Sequence, residues 1–247
     1  MNRLFSALFC AATVFPLAAH AADFQAPKGC ETFLTVQSRQ CAVSNLYRCD
    51  KATDGSFWEV VYSGNGLESI VEYDGDYQWM NAYYAWDNAN EIFKAPAEDR
   101  ISRRDLMHEG IDTFRFDMHR TAPGEDRVIT IVGADQLTDR TTVIDDVALE
   151  AVSTQLRILS ADGEVEYHAR GVQFLSREYE LFFLGTEEVF EADGSATVYD
   201  SSPVEFINPG EPGFGSTLPY FECEEQKAGL VPVAPDLGQK EIFHDQI

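Results

Sequence analysis

Residues 57–84 read FWEVVYSGNGLESIVEYDGDYQWMNAYY, and two short turn signals divide them into three segments. The segments 57–63, 67–73 and 77–84 are rich in β-branched and aromatic residues, which favour strands. Between them stand Gly64-Asn65-Gly66 and Asp74-Gly75-Asp76, which favour tight turns. The stretch therefore predicts three antiparallel strands that follow one another in chain order.

The same pattern returns later in the chain. Segments 152–160 and 165–175 flank a turn signal at Asp162-Gly163. Along the second segment the apolar residues change from odd to even positions at Gly171, which predicts a β-bulge. The segment 112–119 also alternates, and it predicts a strand whose core face carries Phe114, Phe116 and Met118.

One short helix is signalled between strands. Ser102 stands three residues before Asp105, as in a capping box, and Gly110 follows as a C-terminal stop. We expect about two helical turns between Ser102 and Gly110. The chain as a whole is predicted to be all-β, an antiparallel meander that forms a curved sheet, an open barrel or a sandwich with one short helix.

The N-terminal residues 1–22 have the three parts of a signal peptide. Arg3 precedes an apolar stretch, and Ala19-His20-Ala21 offers a small-residue cleavage site. No later apolar run approaches the ~20 residues that a spanning helix needs, so we expect no transmembrane segment. The prediction is a periplasmic or secreted protein with a single domain at 23–226 and a loosely ordered tail at 227–247.

Composition narrows the class of partner. Hydrophobic residues make up 45% of the chain, which is typical of a folded protein. The 18 Lys and Arg residues stand against 42 Asp and Glu residues, for a net charge of −24. Such a field repels the phosphate backbone, so nucleic acid is excluded as a partner.

Four cysteines follow the signal: Cys30, Cys41, Cys49 and Cys223. An even number in an exported chain predicts two disulfides, and the spacing lacks the close pair that is usual in zinc sites. Three pairings are open. If 31–37 and 42–49 form a hairpin, Cys30 lies opposite Cys49, and Cys41 is left for Cys223.

Catalytic signatures are missing from the sequence. It contains no Gly-x-Ser-x-Gly elbow, no His-Glu-x-x-His helix, no phosphate-binding glycine loop and no Cys-x-x-Cys. Carboxylates are so numerous that any two can be paired by choice. We therefore expect no metal and no cofactor, and a binding function rather than an enzymatic one.

The segment 77–86 is unusual because five of its ten residues are aromatic. Strict alternation places Trp79 and Tyr83, with Tyr77, on one side of the strand and Trp86, with Tyr84, on the other. Rings with polar tips suit ligand pockets, so Trp79, Tyr83 and Trp86 are candidate ligand contacts. A strand packed between two layers is the alternative interpretation.

A resemblance lies in three runs: YELFFLGTE at 179–187, SPVEF at 202–206 and PGEPGF at 209–214. With these runs the chain, from Cys30 to Cys223, is similar to a family of small exported proteins of Gram-negative bacteria that carries no known activity. In outline, a many-stranded meander with one short helix also resembles the LolA-like periplasmic lipoprotein carriers, whose open barrel shields acyl chains. No motif supports that second comparison.

Three functions follow as hypotheses. The first is a non-catalytic periplasmic binding or carrier protein for an apolar or mixed small molecule. The second is a carboxylate-dependent hydrolase that acts on carbohydrate. The third is an envelope interaction module that binds another envelope protein and no small ligand. An apolar cavity would favour the first, two carboxylates facing across an aromatic cleft the second, and a closed core the third.

Overall fold

The computed structural model describes residues 23–53, 55–191 and 193–224. The predicted signal peptide at 1–22 and tail at 227–247 lie outside these residues. In chain order the elements are β1 (Cys30–Ser38), β2 (Ala42–Cys49), β3 (Phe57–Ser63), β4 (Gly66–Tyr73), β5 (Trp79–Tyr84), β6 (Ala89–Asp99), α1 (Arg103–Glu109), β7 (Ile111–Ala122), β8 (Glu125–Ile144), β9 (Val147–Leu159), β10 (Val165–Ser176), β11 (Leu181–Phe190), β12 (Ala196–Asp200) and β13 (Pro203–Ile207).

All thirteen strands form one antiparallel sheet. From β1 to β12 each strand pairs with the next in the chain, and β13 pairs with β1. The two edges, β12 and β13, are not paired with each other, so the sheet is not closed. The predicted all-β antiparallel meander with one short helix is confirmed, as a single open sheet.

The sheet curls because its two edges are neighbours in the chain. Only Ser201 and Ser202 separate β12 from β13, although these strands stand at opposite ends of the strand order. Strands from both halves consequently share one core. That core contains Leu34, Leu46, Phe57, Leu149, Leu181, Phe183 and Phe206.

The segment after β13 covers the outer face of β1 and β2. Thr35, Gln37 and Asn45 point away from the apolar core, and all three are fully buried. Asn45 Nδ2 donates to the carbonyl of Ser216 at 2.8 Å, and Gln37 Nε2 donates to the carbonyl of Leu218 at 3.0 Å. The loop backbone therefore satisfies polar side chains that burial would otherwise penalise.

Both disulfides join the cysteines that the hairpin register favours. Cys30 lies directly opposite Cys49 in the pairing of β1 with β2, and the two are bonded. Cys41, in the turn of that hairpin, is bonded to Cys223 at the end of the covering loop. Such bonds are typical of proteins in oxidising compartments.

The local predictions around α1 and β7 are confirmed. Ser102 caps the helix by accepting the Asp105 N–H, and Gly110 ends it in the left-handed conformation at φ 81°. In β7, Phe114, Phe116 and Met118 are all buried. The helix α1 has seven residues, and none of the helices in the described part of the chain has the length and apolar character to cross a bilayer.

The predicted irregularity at Gly171 is present. The pairing of β10 with β11 steps from Gly171–Glu187 to Gln173–Leu184, so the extra residue lies on β11. A Cβ atom on Gly171 would stand 2.0 Å from the carbonyl oxygen of Thr186. Glycine is required because the two backbones approach too closely for any side chain.

Removing each disulfide separately should destabilise the protein by different amounts. The bonds close loops with sequence separations of 182 and 19 residues. In the chain-entropy model we expect losses of about 5 kcal/mol for Cys41→Ala with Cys223→Ala, and about 3 kcal/mol for Cys30→Ala with Cys49→Ala. Equilibrium urea unfolding of the two double variants measures this, and a larger loss for the second pair would contradict the prediction.

Candidate functional site

The curled sheet encloses a cavity of about 460 Å³, within the usual range for small-molecule sites. Every strand from β1 to β11 except β6 contributes side chains to its wall. The aromatic part of the wall consists of Tyr73, Tyr77, Trp79, Tyr84, Trp86, Phe114, Phe182 and Phe183. Polar groups stand among them, chiefly Ser44, Glu59, Glu68, Asp135, Thr154, Arg170, Gln173 and Glu187.

The aromatic segment 77–86 is placed differently from the alternation that the sequence predicts. Trp79 and Trp86 line the cavity together with Tyr77 and Tyr84, whereas Tyr83 is not part of the wall. Tyr77 lies in a turn at φ 76° before β5 begins. Within β5 the pairing with β4 steps from Tyr73–Trp79 to Glu72–Asn81, so one extra residue changes the alternation between Trp79 and Tyr83.

The three candidate ligand contacts therefore stand at three different places. Trp79 packs edge-on against Phe116 at 6.0 Å in the core below the cavity. Trp86 is 72% exposed although it lines the cavity, so it stands where the cavity opens to solvent. Tyr83 is directed to the other face, where its hydroxyl donates to Asn88 Oδ1 at 3.2 Å.

Tyr77 ties the β4–β5 turn to the opposite wall. Its hydroxyl accepts the Phe182 N–H at 2.8 Å and donates to the Phe182 carbonyl at 3.1 Å. Its ring lies 5.0 Å from that of Tyr73 and 4.8 Å from that of Phe182. Burial raises the pKa of Tyr77, so the hydroxyl stays neutral and keeps both hydrogen bonds.

Glu59 brings a carboxyl to this aromatic wall. It stands on β3 between the inward-facing residues Phe57 and Val61, and its charge acts on the pKa of both Tyr73 and Tyr77. Burial raises the pKa of Glu59, against the opposing effect of a hydrogen bond with Ser44. A half-buried acid therefore acts electrostatically on two tyrosines of the cavity wall.

Asp135 places a second carboxyl on the wall from β8. Burial raises its pKa to about 6, and a hydrogen bond with Thr154 opposes that shift. Its Oδ1 atom is buried and has no hydrogen-bond partner among the described residues. Across the register of β7 and β8 lies Asp112, whose pKa burial raises to about 7 while it accepts the Ser102 N–H at 3.0 Å.

Glu187 is the third carboxyl, supplied by β11 at the bulge opposite Gly171. Burial raises its pKa, and a hydrogen bond with Tyr167 opposes the shift. Within the described residues, no Lys or Arg is among the groups that shift the pKa of Glu59, Asp135 or Glu187. All three are held by hydroxyl groups.

The ligand contacts predicted from the sequence do not include these acids, although one sequence signal pointed to Glu59. On β3 the inward positions carry Phe57, Glu59 and Val61, so a charged residue interrupts an apolar face. Such an interruption in an alternating strand marks a polar group that the core must accommodate. Asp135 gave no comparable signal, because it follows a segment of β8 that is buried on both faces.

The described part of the chain contains no set of side chains that could bind a metal ion. No group of three or more His, Cys, Asp or Glu side chains there is arranged to hold an ion.

No protein-family model, curated protein or solved structure matches the chain.

Removing the Tyr77 hydroxyl should weaken the tie across the cavity. In Tyr77→Phe the Phe182 N–H and carbonyl lose their partner inside the protein, so we expect a loss of about 1–3 kcal/mol. Tyr83→Phe is the matched control, and its exposed hydroxyl should change stability by less than about 0.5 kcal/mol. Urea unfolding at equilibrium compares them, and equal losses in both would refute the tie.

Asp135 should make stability depend on pH. Since its native pKa is about 6 against an ordinary 3.8, the native state keeps a proton that the unfolded state loses between these values. Stability therefore falls as pH rises through this window, by up to about 3 kcal/mol from this group. Asp135→Asn should remove that part of the slope, while Asp112 leaves a further decline toward pH 7.

The matched control is Asp162→Asn in the exposed β9–β10 turn. Thermal or urea unfolding at a series of pH values measures the slope for all three proteins. Identical profiles for wild type and Asp135→Asn would show that the Asp135 carboxyl titrates normally in the folded state.

Proposed function

We propose that this protein is a non-catalytic binding or carrier protein that holds a small molecule of mixed apolar and polar character inside the curled sheet. The observation that carries the proposal is the cavity of about 460 Å³, whose wall combines aromatic rings with a few buried polar groups. Pockets of that size and composition are the usual form of small-molecule sites.

The chemistry of the wall supports a ligand that is neither a pure hydrocarbon nor a highly polar sugar. Tyr73, Tyr77 and Trp79 offer flat apolar surface, which favours burial of a ring or a short chain. Ser44, Thr154 and Gln173 offer hydrogen bonds around it. The exposed Trp86 and Leu184 give the ligand an apolar surface to contact on entry.

The proposed place of action is the periplasm or the medium outside the cell. The disulfides and the signal-like residues 1–22 support export. The likeness to LolA-like carriers remains an outline comparison. The polar groups on the wall favour a smaller and more polar cargo than acyl chains.

A hydrolase is the second candidate. Glu59, Asp135 and Glu187 line an aromatic cavity, and a carboxyl with a raised pKa is suited to act as a general acid. The interaction module receives less support, because it requires no cavity.

Native mass spectrometry of protein purified from its own source, followed by denaturation, tests the carrier function. We expect a bound small molecule that is released on unfolding. Tyr84→Ala should lower its occupancy at least about tenfold, whereas Tyr83→Ala, the neighbouring aromatic outside the cavity, should leave it unchanged. Circular dichroism confirms that both variants are folded.

Two other outcomes would contradict a ligand carried in this cavity. If no molecule accompanies the protein, and a panel of glycosides and esters is hydrolysed with loss of turnover in Asp135→Asn, the hydrolase replaces the carrier. Equal occupancy in Tyr84→Ala and Tyr83→Ala would place the ligand outside the cavity.

A further inference from the structure

Three of the four acids that line the cavity, Glu59, Asp135 and Glu187, are each held by a hydroxyl, which is an unusual arrangement for a stable core. Ser44, Thr154 and Tyr167 are neutral, so they cannot balance a carboxylate charge at Glu59, Asp135 or Glu187. Burying an ionised carboxyl without a cationic partner costs several kcal/mol. Asp135 adds an Oδ1 atom with no partner among the described residues, although it is buried.

Elsewhere in the fold, a group of three acids is paired with one arginine. Glu91 is almost fully buried, and Arg120 Nη1 contacts its Oε1 at 2.7 Å. The same guanidinium also pairs with Asp87 and Glu125. The buried Glu91 therefore has a cation beside it, which Glu59, Asp135 and Glu187 do not.

Among the described residues, the one arginine that lines the cavity does not fill that role. Arg170 Nε donates to Glu188 Oε2 at 2.7 Å, and its guanidinium lies 5.1 Å from the centre of the Phe190 ring. Glu188 is not part of the cavity wall. The charge of Arg170 is therefore already paired, and the wall remains acidic.

We propose that the ligand of this cavity is a small organic cation, a protonated amine on an apolar body, whose charge is balanced by the acids of the cavity wall, Glu59 and Asp135 among them. The inference rests on the carrier function proposed above. The charge of Glu59 acts on Tyr73 and Tyr77, which line the same cavity, so an ammonium group near Glu59 also has aromatic rings within reach. The apolar body lies against Trp79 and Phe114.

Charge-assisted hydrogen bonds in a desolvated site are stronger than neutral ones, which makes the cation the preferred form of the ligand. The protein's net charge of −24 also attracts cations toward the cavity mouth. That long-range attraction acts on every cation equally, so it has to be separated from recognition inside the cavity.

Three probes with the same apolar body test the charge preference: phenylbutylamine, phenylbutanol and phenylbutanoate. At about pH 7 the first is a cation, the second neutral and the third an anion. Isothermal titration calorimetry on the wild-type protein should show the amine binding at least about tenfold more tightly than the alcohol, and the carboxylate most weakly. Sufficient salt to screen the surface field is kept constant.

Isosteric variants locate the recognition. Glu59→Gln and Asp135→Asn should each weaken amine binding at least about tenfold while leaving alcohol binding unchanged. Glu31→Gln, an exposed residue on β1, removes the same charge from the surface and should alter neither affinity. The alcohol serves as an internal check that each variant still has its cavity.

Each outcome separates the two proposals. Equal binding of all three probes, lost in Tyr84→Ala, would overturn the cation preference and leave the carrier function intact. Amine binding that Glu31→Gln weakens as much as Glu59→Gln and Asp135→Asn would also overturn it, since the surface field would then be the cause. No binding of any probe, with no accompanying molecule in native mass spectrometry, would count against both proposals.

Discussion

The pairing of β13 with β1 is the constraint on which the rest of the structure depends. Two residues carry the chain from β12 to β13, that is, from one edge of the sheet to the other. A flat sheet of thirteen strands at about 4.8 Å spacing would be far too wide for such a connection. The sheet has to curl, and the cavity is the space left inside it. The Cys41–Cys223 bond and the covering loop hold β1 and β2 from the outside.

Two glycines permit close contacts between neighbouring strands of the curled sheet. A Cβ atom on Gly133 would stand 2.1 Å from the Phe114 ring, so the missing side chain lets that ring lie over β8. At Gly185 a Cβ atom would meet the Val172 carbonyl oxygen at 2.3 Å, close to the bulge that re-aims β11. Irregularities of this kind bend a strand and redirect side chains, and here they bring Glu187 to the cavity.

Two groups of acids in the protein differ in the partners that the fold gives them. Arg120 compensates Asp87, Glu91 and Glu125, so burial of that group is balanced within the chain. Glu59 and Asp135 receive only hydroxyl partners, and burial therefore raises the pKa of each. Perturbed groups that face a cavity are more often functional than structural, because a purely structural core gains nothing by keeping them.

The sequence by itself determined the features that depend on near neighbours. Period-2 alternation placed Phe114, Phe116 and Met118 in the core, and hairpin register placed Cys30 opposite Cys49. Tertiary structure alone decided the site. The left-handed turn at Tyr77 and the register shift beside Tyr73 put Tyr84 in the cavity and Tyr83 outside it. The presence of Glu59 and Asp135 in one cavity wall depends on the curl, which arises from pairing between β1 and β13, more than 160 residues apart. No local pattern encodes a contact over that distance.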